Sequence, residues 1–391
     1  MKSLILVITL IFTNLVSAEE DKSNEKEAAK TILKMFEVIN NMPDKEEIEE
    51  LSKQWKSDFV EYLLSHKDAD INIYGLQSLS EQYSTHKIQY DANPGDMSEI
   101  ANFLMELVKS NRLSTRSLFI ASHICSGVNI RAYCDSTQIH KKLIHSEPNN
   151  VLVYIPSLKE AVSNNSTNEI VTILDQMAQS EFANNYSAIP EPLEYLIDEY
   201  TQNHPYHEKM INSELTVIES LKKISPEKIQ EIRENFFYYQ SYFNKIHFKL
   251  ISPIPYMRSL MDVCKSDVNL AQTCLKISDI LINKNKSIIS PMVGYTVKID
   301  TLKLLGEEIL ASETESIKEK LKKQYECLMR IKSSNNDQID LYLSPEDFKK
   351  LATIERNHGE LVLFKTMAET SYQKRLESGN TDAVSPEVCL N

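Results

Sequence analysis

The sequence is 391 residues long, with 42% hydrophobic and 25% charged residues, a balance typical of globular proteins. Its formal net charge of −13 at pH 7 argues against nucleic-acid binding, because phosphate recognition depends on clustered Lys and Arg. Only 7 residues are Gly, which disfavours hairpin-rich β folds and doubly wound sheets, since their turns need positive φ.

A secretory signal is predicted at the amino terminus, over residues 1–18. Lys2 precedes an apolar run that extends from Leu4 to Phe12, and small residues follow at Val16 and Ala18. The run is too short to anchor the chain, because a spanning helix needs roughly 20 apolar residues. We therefore expect export to the periplasm or beyond, with cleavage near Ala18 and no membrane span in the mature chain.

Hydrophobic spacing predicts helices along most of the remaining chain. One apolar stripe covers four turns and consists of Ile48, Leu51, Trp55, Phe59 and Tyr62. The same i, i+3, i+4, i+7 spacing recurs in later segments and indicates helices that bury one face. Ser225-Pro226-Glu227 and Ser344-Pro345-Glu346 are typical helix starts, with a capping hydroxyl before a Pro that needs no N–H partner.

Three regions are predicted after the signal. Residues 19–183 form an amino-terminal helical region, and residues 207–391 form a carboxy-terminal one. Between them, residues 184–206 contain three Pro residues and lack clear periodicity, so this segment is predicted to be an irregular linker and a domain boundary.

Six Cys residues are present, and an even number in an exported protein favours disulfides. Sequence spacing suggests two local pairs, and elimination leaves a third: Cys125 with Cys134, Cys264 with Cys274, and Cys327 with Cys389. Each local pair lies where one apolar-periodic segment ends and another begins, so each bridge would join two antiparallel helices. A zinc site is the alternative, but no C-x2-C motif is present.

The surroundings of the two local pairs suggest a duplication. Val128-Asn129-Ile130 precedes Cys134, and Val268-Asn269-Leu270 precedes Cys274 at the same distance. A shared tripeptide pattern at matching positions would follow if the two cysteine-paired segments were repeats.

A helical hairpin is predicted after Pro148-Asn149-Asn150. Its first helix extends from about Val151 to Val162 and carries Tyr154 and Ala161. Its second helix extends from about Asn168 to Gln179.

This hairpin resembles a tetratricopeptide unit over residues 147–180. In that family Pro-Asn-Asn precedes a first helix with an aromatic residue at its fourth position and a small or aromatic residue further on, as Tyr154 and Ala161 are here. The inward stripe of the family's second helix is matched by Ile170, Leu174 and Met177. Leu158 replaces the usual Gly, and Pro156 lies within the first helix.

The scarcity of Gly and the helical periodicity predict an all-α fold, and the cysteines predict that disulfides join its helices. The resemblance implies that these helices form an array of antiparallel hairpins that is TPR-like or α-solenoid-like. The chain is also similar to poorly characterised exported helical proteins of proteobacteria. Neither resemblance carries catalytic residues, and no second unit follows at the 34-residue period of the family.

Candidate chemistry was sought among metal ligands and nucleophiles. The histidine-containing pairs are His140 with His145, His204 with His207, and Glu355 with His358, and none completes a metal motif. Because no two Gly residues are closer than 12 positions, G-x-S-x-G and P-loop motifs are excluded. Ser220 with Lys223 and Ser371 with Lys374 match S-x-x-K, a spacing that chance also produces.

No catalytic, cofactor-binding or metal residue is therefore assigned from the sequence. The favoured hypothesis is a protein–protein interaction or scaffold module of the bacterial envelope, since stacked helical hairpins present a binding surface without catalytic motifs. The alternative is an enzyme or small-ligand binder whose site consists of scattered residues. A pocket that holds several inward polar or titratable groups would favour this alternative.

Overall fold

The computed structural model describes residues 33–34, 36–85, 94–127, 129–221, 225–251, 256–332, 345–377, 379 and 383–390. The predicted signal over residues 1–18 lies outside this part of the chain. Within the described residues there is no β-strand, and extended pairing is limited to two isolated bridges, between Asn150 and Phe182 and between Ala183 and Asn285. The predicted all-α class is confirmed.

Helices account for most of the residues that the structure describes. In chain order the α-helices are α1 Lys45–Leu64, α2 Ala69–Thr85, α3 Pro94–Lys109, α4 Thr115–Cys125, α5 Ser136–Ser146, α6 Ile155–Ser163, α7 Thr167–Met177, α8 Glu191–Asn203, α9 Glu208–Leu221, α10 Pro226–Glu234, α11 Phe236–Ile251, α12 Arg258–Ser266, α13 Ala271–Asn283, α14 Ile289–Leu304, α15 Glu308–Lys332, α16 Pro345–His358 and α17 Glu360–Glu377. Short 3-10 helices cover Arg131–Tyr133, Val151–Tyr154, Val268–Leu270 and Pro386–Cys389. Many consecutive helices pack against each other as hairpins. Among the described helices, none combines the length and the apolar character that a membrane crossing requires.

Helix starts follow the local sequence. Helices α10 and α16 begin at Pro226 and Pro345, as predicted. Ser114 caps α4, where its side-chain oxygen accepts a hydrogen bond of 3.3 Å from the backbone N–H of Ser117. Each capping acceptor satisfies a backbone N–H that has no partner within the helix.

Two hydrophobic cores share helices α4 and α5, and α5 has Ile139 in the first core and Leu143 in the second. The first core contains Trp55, Leu104 and Ile197 and includes residues of α1 to α5, α8 and α11. The second core surrounds Leu152 and Leu174 and includes residues of α6, α7, α12, α13 and α14. Helix α4 contributes to both, with Ile120, Ala121, Ile124 and Cys125 in the first and Leu118 and Phe119 in the second.

The segment predicted to be an irregular linker, residues 184–206, differs from that expectation. It contains α8, which begins immediately after Pro190 and has Pro192 at its second position. Leu193 and Ile197 of this helix are fully buried in the first core. Pro192 does not interrupt this helix, because Pro in the first turn of a helix costs no hydrogen bond. The irregular backbone is therefore confined to the two ends of the segment.

A buried Asn joins the predicted hairpin to the chain that follows it. The Asn150 side chain is fully buried, and its oxygen accepts from the N–H groups of Leu152 and Asn184, each at 3.1 Å. Its nitrogen donates to the Asn184 carbonyl at 2.9 Å and to Glu147 at 2.8 Å. Because the Asn150 side chain is buried and these bonds satisfy both its oxygen and its nitrogen, Asn150 fixes the turn before α6.

The predicted hairpin is present with shorter helices. Helix α6 begins at Ile155, after the 3-10 turn Val151–Tyr154, rather than at Val151. Pro156 accounts for this difference, since Pro lacks the N–H that a continuous helix would need there and is tolerated in the first turn. The residues that carried the resemblance lie inward, with Tyr154, Ala161, Leu174 and Met177 buried and Ile170 half-buried.

The structure contains two of the three predicted disulfides. Cys264 bridges Cys274 with α-carbons 5.7 Å apart, and Cys327 bridges Cys389 with α-carbons 5.5 Å apart. Cys125 and Cys134 are unbridged thiols, which differs from the predicted pairing. The chain reverses between them through the 3-10 turn Arg131–Tyr133 and brings the thiols into hydrogen-bonding contact. Spacing thus predicted their proximity, but it does not determine their covalent state.

Two glycines offer a matched test of packing. Gly359 and Gly306 both have positive φ, at +85° and +77°. A Cβ at Gly359 would lie 2.3 Å from the Lys286 carbonyl oxygen, whereas nothing lies within 4 Å of one at Gly306. We expect Gly306→Ala to cost about 1–2 kcal/mol of unfolding free energy, from left-handed strain alone. Gly359→Ala should cost clearly more, because it also displaces the carbonyl that accepts from Glu360 N–H at 2.8 Å. Urea unfolding of both variants measures the difference, and equal losses would contradict the close packing.

Candidate functional site

A cavity lies among α4, α5 and α6. Its volume is about 130 Å³, close to the roughly 150 Å³ of an engineered cavity that binds benzene. Four lining residues are apolar or aromatic: Phe119, Ile155, Pro156 and Tyr256. The other lining residues are Ser122, His123, Cys125, Ser126, Arg131, Ser136, His140, Lys159, Glu160 and Ser163. The cavity therefore combines an apolar wall with many polar or titratable groups.

Hydrogen bonds connect four of these residues in a chain. The Ser122 hydroxyl lies 3.1 Å from His140 Nε2, and His140 Nδ1 lies 3.1 Å from Glu160 Oε2. The Ser136 hydroxyl donates to the two Glu160 oxygens at 3.3 and 3.4 Å. The result is a relay from a hydroxyl through an imidazole to a carboxylate.

Local folding explains why these groups meet. Ser122 lies on α4, whose neighbouring residues are buried in both cores, so its hydroxyl needs a partner within the protein. His140 follows the fully buried Ile139 on α5 and supplies that partner. Glu160 lies on α6 with its side chain 33% exposed, at the solvent side of the relay. Three helices that pack for hydrophobic reasons thus bring together one group each.

The pKa values of both cavity histidines are lowered from the ordinary value. Desolvation lowers the pKa of His140, and the charge of Lys159 lowers it further, while Glu160 raises it. Desolvation also lowers the pKa of His123, again with a contribution from Lys159. Since the ordinary value is about 6.5, both rings are mainly uncharged at pH 7.

Two permanent cations line the same cavity. Arg131 lies in the 3-10 turn after α4, and Lys159 lies on α6. The Lys159 ammonium lies 5.3 Å from the centre of the Tyr256 ring, within the range of a cation–π interaction. With both histidines neutral, Glu160 is the single carboxylate in the lining. The cavity is therefore positive overall in a chain whose net charge is −13.

The unbridged thiols differ in acidity. The hydrogen bond with Cys134 raises the pKa of Cys125, and burial raises it further. The same hydrogen bond lowers the pKa of Cys134. Cys125 is buried at the end of α4, and Cys134 is half-buried. Cys134 is therefore the more acidic thiol of the pair.

The other residues considered from the sequence have different surroundings. The His204 ring stacks on Tyr200 with centroids 4.5 Å apart, and Glu355 pairs with Lys249 at 2.6 Å. Ser220 and Ser371 donate to backbone carbonyls of Val217 and Ile331. In the part of the chain that the structure describes, no group of three or more His, Cys, Asp or Glu could hold a metal ion.

Sequence reasoning missed the relay. The sequence offers His140 as a candidate metal ligand beside His145, and no motif in it indicates Ser122 or Glu160. Ser122 and His140 are 18 residues apart on different helices, so no motif spacing connects them. Only the tertiary packing of α4, α5 and α6 reveals the group.

Comparison with known proteins found no match to a family model, a curated protein or a solved structure. The function must therefore be argued from the geometry and chemistry of the cavity itself.

The thiol pair predicts selective labelling. In the native protein we expect Cys134 to react with iodoacetamide before Cys125, because it is more exposed and its pKa is lowered. Cys125→Ala should slow this reaction at neutral pH, since it removes the hydrogen bond that stabilises the thiolate. Peptide mass spectrometry after brief labelling measures both rates. Faster labelling of Cys125 would contradict the assignment, and a Cys125–Cys134 cross-linked peptide would instead support the pairing predicted from the sequence.

Proposed function

We propose that the protein binds a small organic anion in the cavity among α4, α5 and α6. One observation carries the proposal: Arg131 and Lys159 line a cavity in which the pKa values of both histidines are lowered, which favours their uncharged forms. Glu160, the carboxylate of the lining, is already bound by His140 and Ser136. An anion would supply the negative charge that the two cations lack within the cavity.

The size of the cavity limits the ligand. A volume of about 130 Å³ accommodates one small ring or a short chain. Phe119, Ile155, Pro156 and Tyr256 supply the apolar wall on which such a group would pack. Pockets that bind small molecules commonly combine an apolar wall with a few placed polar groups. An aromatic or short aliphatic carboxylate therefore fits best.

Binding of an anion should be linked to proton uptake. The charge of Lys159 lowers the pKa of both His123 and His140, and a bound anion would act in the opposite direction. The histidine pKa values are then higher in the complex than in the free protein. By linkage, affinity increases as the pH falls toward and below the ordinary histidine pKa, and it decreases as the pH rises.

Benzoate and benzamide test this proposal, because they share a shape and differ in charge. We expect benzoate to bind more tightly than benzamide, and more tightly at about pH 5.5 than at about pH 7.5. Lys159→Met should weaken benzoate binding by about tenfold or more, since it removes a charged partner. Isothermal titration calorimetry measures the affinities, and the exposed Lys53→Met serves as the control.

Two results would contradict the proposal. One is equal affinity of the wild-type protein for benzoate and benzamide. The other is unchanged benzoate affinity in the Lys159→Met variant.

A second proposal is the scaffold role predicted from the sequence: an exported module of the bacterial envelope that contacts another protein. The support is partial. Consecutive helices pack as hairpins, and α6 and α7 form the hairpin that resembles a tetratricopeptide unit. The two disulfides are typical of oxidising compartments. Leu310 and Ile317, seven residues apart on one face of α15, are 48% and 55% exposed.

A charge substitution on α15 tests the scaffold role. Leu310→Asp with Ile317→Asp should abolish a specific cross-link to a partner in the envelope fraction, because charges would replace the apolar contact. Ser312→Asp with Ser316→Asp adds the same charge at exposed positions of the same helix and should leave the cross-link intact. Retention of the cross-link in the leucine and isoleucine variant would contradict this role for α15.

A further inference from the structure

The hydrogen bonds of the relay have the directions expected for a nucleophile, a base and a carboxylate that orients the base. An ionised Glu160 carboxylate only accepts hydrogen bonds, so His140 Nδ1 must carry the proton that lies between them at 3.1 Å. In the neutral ring this leaves Nε2 as an acceptor, 3.1 Å from the Ser122 hydroxyl. The Ser122 proton therefore points at a base, which is the arrangement that activates a serine for attack.

The relay also differs from a hydrogen-bond network that only joins helices. Ser122, His140, Glu160 and Ser136 all line the cavity rather than the solid core. Ser136 holds the Glu160 carboxylate from its far side, which restrains the group that orients the imidazole. A reacting molecule in the cavity would thus contact the hydroxyl end of the relay.

We propose that this cavity catalyses acyl transfer from short esters or thioesters of organic acids, with Ser122 as nucleophile, His140 as general base and Glu160 as the residue that orients His140. This inference rests on the anion site proposed above and adds a reaction to it. The preferred substrate is an ester whose acyl group carries a carboxylate, because Arg131 and Lys159 line the same space.

The chemistry balances with water as the only co-reactant. The Ser122 oxygen forms a bond to the acyl carbon, and its proton moves to His140 Nε2. The carbon–oxygen or carbon–sulfur bond to the leaving group breaks, and His140 returns the proton to the departing oxygen or sulfur. Water then attacks the acyl-serine with His140 as base, which releases the acid and restores the Ser122 hydroxyl.

Cavity cations would favour the charged intermediate. The tetrahedral intermediate carries one more negative charge than the ester, and positive groups positioned in advance near that charge stabilise it. Six charged or titratable groups contact His140 or share its cavity: Glu160 and Lys159 on α6, His123 and Cys125 on α4, Arg131 in the turn before α5, and Tyr256. Burial, which lowers the His140 pKa, keeps the base in its active form at neutral pH.

Hydrolysis of nitrophenyl esters tests the proposal directly. The probes are the anionic mono-4-nitrophenyl succinate and the neutral 4-nitrophenyl propionate, and we expect faster turnover of the anionic ester. Ser122→Ala should lower kcat by at least about 100-fold, and His140→Gln and Glu160→Gln by roughly 100- to 10,000-fold. Ser65→Ala, at a hydroxyl on the exposed end of α1, should leave the rate unchanged. The rate should fall at acid pH, as His140 is protonated.

A covalent probe keeps the test valid if a relay variant fails to fold. An alkyl fluorophosphonate should modify wild-type Ser122, with loss of fluoride and one added phosphonyl mass on the peptide that contains it. Benzoate should protect Ser122 from this modification. Labelling of Ser122 that disappears in His140→Gln, with circular dichroism confirming the helical fold, would support the role of His140 as base.

The outcomes separate this inference from the anion site on which it rests. Benzoate binding without ester turnover and without Ser122 labelling would overturn the acyl-transfer proposal and leave the anion site intact. Turnover that persists in folded Ser122→Ala would overturn it as well. Absence of both binding and turnover would overturn the two proposals together.

Discussion

The burial of α4 between two hydrophobic cores is the constraint on which the candidate site depends. Its residues from Ser117 to Ser122, together with Ile124 and Cys125, are all buried. Ser122 lies within this buried stretch and faces protein rather than solvent. The Ser122 hydroxyl therefore needs a partner within the protein, and α5 and α6 are held close enough to provide one. The relay is a direct consequence of this packing.

The sequence predicted what depends on local composition. Few glycines and the spacing of apolar residues indicated helices, and Pro226 and Pro345 marked helix starts correctly. Contacts between residues far apart in the chain were harder to predict from the sequence. The prolines near α8 suggested a linker, although Leu193 and Ile197 bury that helix in the first core. The reason is that Pro marks an interruption of backbone hydrogen bonding and carries no information about tertiary burial.

The cysteines and the cavity residues also show that sequence spacing does not determine tertiary contacts or covalent state. Sequence separation indicated which sulfurs could approach one another, because a reversal of the chain is a local event. It did not determine that Cys125 and Cys134 are thiols, since oxidation depends on acidity, access and oxidant as well as distance. The relay was harder still to predict from the sequence, because Ser122, His140 and Glu160 follow no shared pattern in the chain. Hydrophobic packing between other residues brings them together.

The first core consists of residues far apart in the sequence, and this separation affects how the chain folds during its synthesis. This core joins Trp55 and Leu104 to Phe248 and Ile251, so contacts that complete it are separated by well over a hundred positions. Because the ribosome releases the chain from its amino terminus, α1 to α5 emerge long before α11 can cover them. The apolar surface that α11 covers stays exposed through that interval, and contacts of such wide separation form slowly. Early helices of this kind are typical binding targets for chaperones that hold a nascent chain until its later segments arrive.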